Sequence, residues 1–214
     1  SAAWRPMMGA TPARRPQAQR SAETRARLIE AAITCLHRLG YGATTVTVVA
    51  EEAGVSRGAM THQFPAKTDL MLAVVRAVFR MDTDHYQRSV AAMSPVEWMR
   101  QLPWITWDAV SQASGVAVME IMLASRSDPE LAERLREMQT RIDAESHAWI
   151  VERHLAAGLE PRADGEAVHR IFVAALRGLT LESLYMRNRD EVEKSIEVLA
   201  ELLRHLYPAL EPTS

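Results

Sequence analysis

Apolar residues recur at helical spacing along most of the chain. Leu28, Ala32 and Leu36 fall four positions apart, and their run ends at Gly40. Alternating apolar and polar runs bounded by hairpin turns, which would indicate β-strands, do not occur in the sequence. The pattern therefore predicts an all-α protein with about nine helices.

Two short helices separated by a glycine are predicted early in the chain. The first covers residues 46–53 and ends at Gly54, and the second covers residues 57–64, with Ser56 as its cap and Pro65 as its stop. Two short helices joined by a glycine-centred turn form the helix-turn-helix pattern, whose second helix enters the major groove of DNA. The sequence therefore predicts a DNA-binding protein.

Pattern and composition divide the chain into three parts. Residues 1–20 are rich in arginine and proline without apolar periodicity, and we predict a flexible arm. Residues 21–80 form the helix-turn-helix domain, which includes a fourth helix from about residue 67. Residues 81–214 form a larger helical domain. Its helices are predicted over about 94–113, 116–125, 128–158, 166–187 and 190–207.

Charge is distributed unevenly along the chain, although the net charge is only −2. Residues 1–80 carry 11 Lys and Arg against 5 Asp and Glu, a net +6, whereas residues 81–214 carry a net −8. A basic first third on an acidic remainder suggests that the first third binds a polyanion such as nucleic acid. Chance clustering of arginines is the alternative.

Several classes of protein are excluded by what the sequence lacks. It has no uncharged apolar run of 18 residues and no signal peptide pattern, so no membrane partner is expected. Its single cysteine, Cys35, lies in an apolar run and is predicted to be a buried thiol. Phosphate loops, nucleophile elbows and metal-ligand spacings are absent. We expect a cytoplasmic protein that is not an enzyme and that uses no metal or cofactor.

The second helix of the motif presents a surface suited to DNA. Arginine pairs with guanine, glutamine pairs with adenine, and alanine contacts the thymine methyl group. A lysine at the start of the next helix, Lys67, can hold a phosphate. The exposed positions predicted on the second helix are Arg57, Gly58, Ala59, Thr61, His62 and Gln63.

Three stretches of this region resemble the TetR family of bacterial repressors. They are GYGATTV (residues 40–46), AEEAGVSRGAM (residues 50–60) and FPAKTDL (residues 64–70), and the resemblance covers roughly residues 22–80. It implies an all-helical homodimer whose C-terminal domain binds a small molecule, the inducer, which releases a double-stranded DNA operator. The remainder of the chain resembles the family only in length and in the order of its helices.

The resemblance also implies which residues face the operator. They are Thr45, Thr47, Arg57, Gly58, Ala59, Thr61, His62 and Gln63, with Lys67 on a phosphate and Ser56 both as a cap and as a phosphate donor. Thr61 departs from the family, since many members have tyrosine there, and Gln63 stands where histidine is frequent. His62 is the candidate to replace the missing backbone contact; a merely solvent-exposed His62 is the alternative.

Aromatic and methionine side chains on the later helices are candidates for a ligand pocket. We predict this pocket between the helix that carries Trp98, Trp104 and Trp107, the helix around residues 119–123 and the long helix from Glu130. Glu120 and Arg177 interrupt apolar runs and are candidates to orient a polar group of the ligand, although a structural ion pair is an alternative for Glu120. The predicted ligand-binding residues are Trp98, Leu102, Trp104, Trp107, Met119, Glu120, Met122, Trp149 and Arg177. An ordinary core is the alternative for each.

The last two helices carry apolar faces that predict a homodimer. Ala174 and Gly178 are small enough for close helix approach, and Leu199, Leu202 and Leu206 continue the apolar face on the last helix. Packing within one chain is the alternative. The whole sequence thus favours a ligand-responsive repressor, and the alternatives are a constitutive DNA-binding protein without a ligand and a helical enzyme.

Overall fold

The computed structural model describes residues 17–185 and 189–211. Within these stretches it contains nine α-helices, two short 3-10 helices at Ser125–Ser127 and Pro208–Leu210, and no strand, which confirms the predicted all-α fold. The α-helices are α1 (Gln17–Ala43), α2 (Val46–Glu52), α3 (Arg57–Gln63), α4 (Lys67–Ala92), α5 (Pro95–Val110), α6 (Ala113–Ala124), α7 (Pro129–Ala156), α8 (Gly165–Ser183) and α9 (Arg189–Leu206). Residues 1–16 of the predicted arm lie outside the described residues, and residues 17–20 belong to α1.

The first three helices form the small N-terminal module around one core. Leu28 and Leu36 of α1, Val49 of α2 and Met60 of α3 are buried together with Phe64 in this core. Removing such side chains from water is the main force that holds short helices in place, because isolated helices of seven residues are marginal in water.

Helix α4 joins the N-terminal module to the rest of the molecule. It is a single helix of 26 residues, so the domain boundary expected at residue 80 falls inside continuous helix. Its first half is buried against the N-terminal core through residues such as Leu70, Met71 and Val74. The same helix packs against α5, α6 and α7, and therefore belongs structurally to both domains.

The boundary between α5 and α6 differs from the prediction. Helix α5 begins as expected, since the Ser94 hydroxyl accepts a hydrogen bond from the Glu97 amide at 3.2 Å, but it ends at Val110. Helix α6 then starts at Ala113, which places Gly115 in its first turn instead of between the helices. A Cβ at Gly115 would lie 2.0 Å from the Val110 carbonyl oxygen, so glycine is needed here for close approach rather than as a helix break.

Helices α5 to α9 form the C-terminal domain around two further cores. One includes Trp98, Ile150 and Leu203, and the other is formed by Leu176, Val192 and Ile196. None of the described helices is both long enough and apolar enough to cross a lipid bilayer.

Candidate DNA interface and ligand cavity

The two helices of the helix-turn-helix are fixed by side-chain caps. The Thr45 hydroxyl accepts a hydrogen bond from the Val48 amide, and the Ser56 hydroxyl accepts one from the Ala59 amide, each at 3.2 Å. Helix α3 turns Met60 into the core, which leaves the opposite face toward solvent. Such caps satisfy amide groups that a short helix cannot satisfy itself.

Most of the predicted DNA-facing residues lie on this solvent side. Ala59 and Gln63 are half-buried, and the others on the two helices are exposed: Thr45, Thr47, Ser56, Arg57, Gly58, Thr61 and His62. The hydroxyl of Thr61 donates to the Arg57 carbonyl at 3.0 Å, within the helix. The arrangement leaves Arg57 and His62 free to extend toward a polyanion.

Two predicted contacts are engaged inside the protein. The Gln63 amide donates to the Ser21 hydroxyl at 2.7 Å, so its side chain is turned toward α1. The Lys67 ammonium donates to the Tyr41 carbonyl at 2.7 Å and lies 3.7 Å from the centroid of the Tyr41 ring. Burial lowers the pKa of Lys67. Since an ammonium group has three donors, Lys67 retains donors beyond the one that binds Tyr41.

Sequence reasoning missed two arginines of α1 that hold the motif. Arg27 donates to the carbonyls of Ala53 and, at 3.2 Å, Gly54, which form the turn between α2 and α3. Arg25 donates to the Gln63 carbonyl at 3.1 Å, and its guanidinium lies 4.3 Å from the centroid of the Phe64 ring. The basic residues of α1 were visible in the sequence, but their spacing gave no sign that they reach across to the turn.

The C-terminal domain contains a cavity of about 750 Å³ between α4, α5, α7, α8 and α9. Its walls are largely apolar and aromatic, with Phe79 on α4, Trp149 on α7 and Phe172 on α8. A volume of this size matches that of pockets for small organic molecules. The polar side chains along its walls include Asp82, Tyr86, Thr106, His154, His169 and Arg177.

Burial shifts the titration of these polar groups. It raises the pKa of Asp82 to about 6, against the opposing effect of Arg177, and it raises the pKa of Tyr86 to about 12. Burial also lowers the pKa of His154 and of His169, so both imidazoles are mainly neutral at neutral pH. The walls also include the charged side chains of Arg80, Asp84 and Glu145, which are exposed, whereas Arg177 and Asp82 are half-buried.

The cavity overlaps only in part with the predicted pocket, since α5, α7 and Val118 of α6 line it but α4 and α8 supply much of its wall. Of the predicted ligand-binding residues, Leu102, Trp149 and Arg177 line it, whereas the other six lie outside its lining. Helix α4 forms a wall of the cavity that the sequence did not predict. It contributes Phe79, Asp82 and Tyr86 to the lining. Helical spacing shows which residues share a face, but it does not show which faces enclose a space.

The six remaining residues have structural partners instead. Trp98 is buried, and its indole N–H donates to the Ser89 hydroxyl at 2.8 Å. Glu120 accepts a hydrogen bond from the Tyr41 amide at 2.8 Å, which ties α6 to α1. The other four are apolar packing residues: Trp104 and Trp107 pack on the core of α8 and α9, Met119 is buried, and Met122 packs on the N-terminal core.

Comparisons with known proteins bear on both parts of the chain. Residues 28–74 match the family model described as bacterial regulatory proteins, tetR family, and residues 104–209 match the model described as tetracyclin repressor-like, C-terminal domain. An HTH-type transcriptional regulator of Mycobacterium tuberculosis is 32% identical over 136 residues, which are 62% of this chain and 69% of that protein.

The chain belongs to the TetR family. It is therefore a DNA-binding transcriptional regulator and not an enzyme, as the sequence predicted. The regulator CymR of Pseudomonas putida is 27% identical over 213 residues, which cover 92% of this chain and 97% of CymR. All the predicted DNA-facing residues, from Thr45 to Lys67, fall within the matched N-terminal TetR segment.

Solved structures of other regulators share the same fold. Salmonella enterica GusR superposes with a TM-score of 0.65 at 21% identity, covering 92% of this chain and 98% of GusR. A regulator from Saccharomonospora viridis, solved in complex with choline, superposes with a TM-score of 0.65 at 19% identity, covering 87% and 98% of the two chains. At these identities the likeness extends to the TetR fold alone.

Proposed function

We propose that the protein is a ligand-responsive repressor that binds a palindromic operator as a homodimer and is released by a mostly apolar small molecule. The observation that carries this proposal is the cavity of about 750 Å³ with largely apolar walls. A constitutive DNA-binding protein would have no need of such a space, because protein interiors are otherwise closely packed. The choline complex of the Saccharomonospora viridis regulator supports the proposal, because it shows that a protein of this fold can bind a small molecule.

Helix α4 supplies the physical route from the cavity to DNA. Its N-terminal residue Lys67 contacts Tyr41 of α1 beside the helix-turn-helix, and residues 75–86 farther along form one wall of the cavity. A ligand shifts a conformational equilibrium only if it binds the two states unequally. A ligand that displaces the cavity wall would move α4, and with it the recognition helix α3, out of register with the operator.

The assembly proposed is a dimer formed by α8 and α9. Ile171, Leu181, Val198 and Leu202 are exposed on these helices, and a Cβ at Gly178 would meet no atom within 4 Å. Other apolar residues of α9, among them Ile196 and Leu203, are already buried within the chain, so intrachain packing accounts for only part of the apolar face. Two copies of the exposed part would bury each other about a two-fold axis.

DNA binding and release can be measured together. An operator selected from a random DNA pool is expected to contain two half-sites about one helical turn apart or more, because a symmetric dimer presents two α3 helices. Adding a cavity ligand should weaken operator binding by a coupling of about 1–3 kcal/mol. A ligand that fills the cavity without changing operator affinity would contradict the proposed switch. Such a repressor would act in the cytoplasm, where the operator lies.

A further inference from the structure

The guanidinium group of Arg177 borders the cavity, and its charged neighbours Asp143 and Asp82 act on it through space and not through a close ion pair. Within the part of the chain that the structure describes, no carboxylate oxygen lies within 4.0 Å of it and it makes no hydrogen bond. Some other arginines of the C-terminal domain form ion pairs, such as Arg134 with Asp69 at 2.9 Å and Arg162 with Asp164 at 2.7 Å. Burial lowers the pKa of Arg177, yet a guanidinium remains protonated in proteins.

The guanidinium is half-buried and lines the cavity, so its donors are open to an anion that enters the cavity and are less hydrated there than at the protein surface. The planar fork of guanidinium donors matches the two oxygens of a carboxylate, and such bidentate hydrogen bonds are stronger than those between neutral groups. The guanidinium of Arg177 can therefore bind a carboxylate through two parallel hydrogen bonds.

The acidic residues that also line the cavity, Asp82, Asp84 and Glu145, do not reverse this preference. Asp82 also lines the cavity and is mainly ionised at pH 7, but burial raises its pKa to about 6, so taking up a proton at pH 7 costs only about a tenfold factor. Arg177 has no comparable way to lose its charge. The imidazoles of His154 and His169 are mainly neutral, and Arg80, Asp84 and Glu145 are exposed. The half-buried part of the cavity thus combines a fixed positive charge at Arg177 with a negative charge at Asp82 that a proton can remove.

The rest of the site fits an apolar body. Val78 and Phe79 on α4, Trp149 on α7, and Phe172 and Leu176 on α8 line the space around these polar groups. We infer that the cavity binds an apolar monocarboxylic acid whose carboxylate is held by Arg177. This inference rests on the proposed function, since it names the class of small molecule to which the regulator responds.

The test compares acids with their neutral and cationic counterparts. Isothermal titration calorimetry of the full chain would use 2-naphthoic acid and dodecanoic acid, their primary amides, and dodecyltrimethylammonium as the cation. We expect at least one acid to bind about tenfold or more tightly than its amide, because a charge-assisted pair replaces a neutral hydrogen bond.

Variants then assign the preference to Arg177. Arg177→Met should weaken acid binding by about 10- to 100-fold while the amide binds as well as before, which also shows that the cavity is intact. Arg177→Lys should retain part of the preference, because it keeps the charge without the fork. Asp82→Asn should tighten acid binding. The matched control is Arg170→Met, an exposed arginine on the same helix that pairs with Glu166 at 2.7 Å, and it should change nothing.

The outcomes separate this inference from the proposed function. Binding of an amide or of the cation with no preference for an acid, or an acid preference that survives in Arg177→Met, would overturn the carboxylate assignment and leave a ligand-responsive regulator in place. Acid binding that depends on Arg177 but leaves operator affinity unchanged would uphold the assignment and overturn the proposed switch. Failure of every probe to bind would overturn both.

Discussion

At the scale of single residues, Asp82 shows how the cavity costs the protein stability. Burial raises the pKa of this carboxyl group from 3.8 to about 6, so the folded state prefers its protonated form. Its contribution to stability is therefore fully present below about pH 3.8 and is lost as the pH rises through about 6. The group disfavours folding at neutral pH, which is expected of a functional cavity rather than of an optimised core.

The first prediction follows from this shift. Asp82→Asn should raise the free energy of unfolding at pH 7.5 by up to about 3 kcal/mol, since each pKa unit corresponds to about 1.4 kcal/mol. At pH 4 the change should be small, because the native carboxyl group is then already protonated. Urea unfolding at the two pH values measures the difference. Asp108→Asn, at an exposed position on α5, is the control, and an equal effect of Asp82→Asn at both pH values would contradict the argument.

A second feature at this scale is the backbone of Tyr41, whose carbonyl and amide groups are both hydrogen-bonded to side chains. Its carbonyl accepts from Lys67 at 2.7 Å, and its amide donates to Glu120 at 2.8 Å. The preceding Gly40 has φ of 74° and forms a kink in α1, and a Cβ there would lie 3.3 Å from a Glu120 oxygen. The kink brings the Tyr41 amide to α6, so the backbone of one residue connects the DNA-binding module with the C-terminal domain.

The second prediction concerns Lys67, for which we propose two roles. Lys67→Met should lower the free energy of unfolding by about 1–3 kcal/mol, because it leaves the half-buried Tyr41 carbonyl without its donor. It should also weaken DNA binding evenly across sequences and flatten the salt dependence by about one charge, if the remaining donors of the ammonium reach a phosphate. Filter binding at several salt concentrations measures the slope. A loss of stability with an unchanged slope would leave Lys67 as a purely structural residue.

At the scale of elements, local signals decided which helices could be predicted. Helix α3 was predicted over residues 57–64 and runs over Arg57–Gln63, because Ser56 and Pro65 mark its ends within the sequence itself. The cavity could not be placed in the same way. It depends on which faces of α4, α5, α7 and α8 meet, and that is set by contacts between residues far apart in the chain. Leu102, Trp149 and Arg177 were named as candidates on residue type, not on geometry.

The third prediction tests whether α1 positions the recognition helix. Arg27→Met removes the hydrogen bonds to the carbonyls of Ala53 and Gly54 and should therefore loosen the turn before α3. Operator affinity should fall by about 1 kcal/mol, although Arg27 is not among the residues proposed to contact DNA. Arg38→Met is the matched control on the same helix, since its partner is the exposed Glu52 at 3.5 Å. Equal losses in both variants would point to a general effect of basic charge.

At the scale of the whole molecule, the proposed switch needs two copies of the chain. A single α3 of seven residues can read only one half-site, and two copies make the spacing between recognition helices a quantity that the cavity can control. The exposed apolar groove lined by Ala175, Gly178, Leu179 and Val198 lies on α8 and α9. Helix α8 also carries Arg177 and Phe172 of the cavity wall, so the proposed ligand site and the proposed interface share one helix.

The last prediction is that this groove holds the dimer together. Light scattering should show a dimer for the wild type, whereas Gly178→Arg and Leu202→Asp should be monomeric, because each would bury an unpaired charge at a cost of several kcal/mol. Glu197→Arg, at an exposed position on α9 outside the groove, should remain dimeric. The monomeric variants should bind the full palindrome no more tightly than an isolated half-site, since only a dimer gains from two linked contacts. A monomeric wild type that still prefers the palindrome would show that symmetry is imposed by DNA and not by α8 and α9.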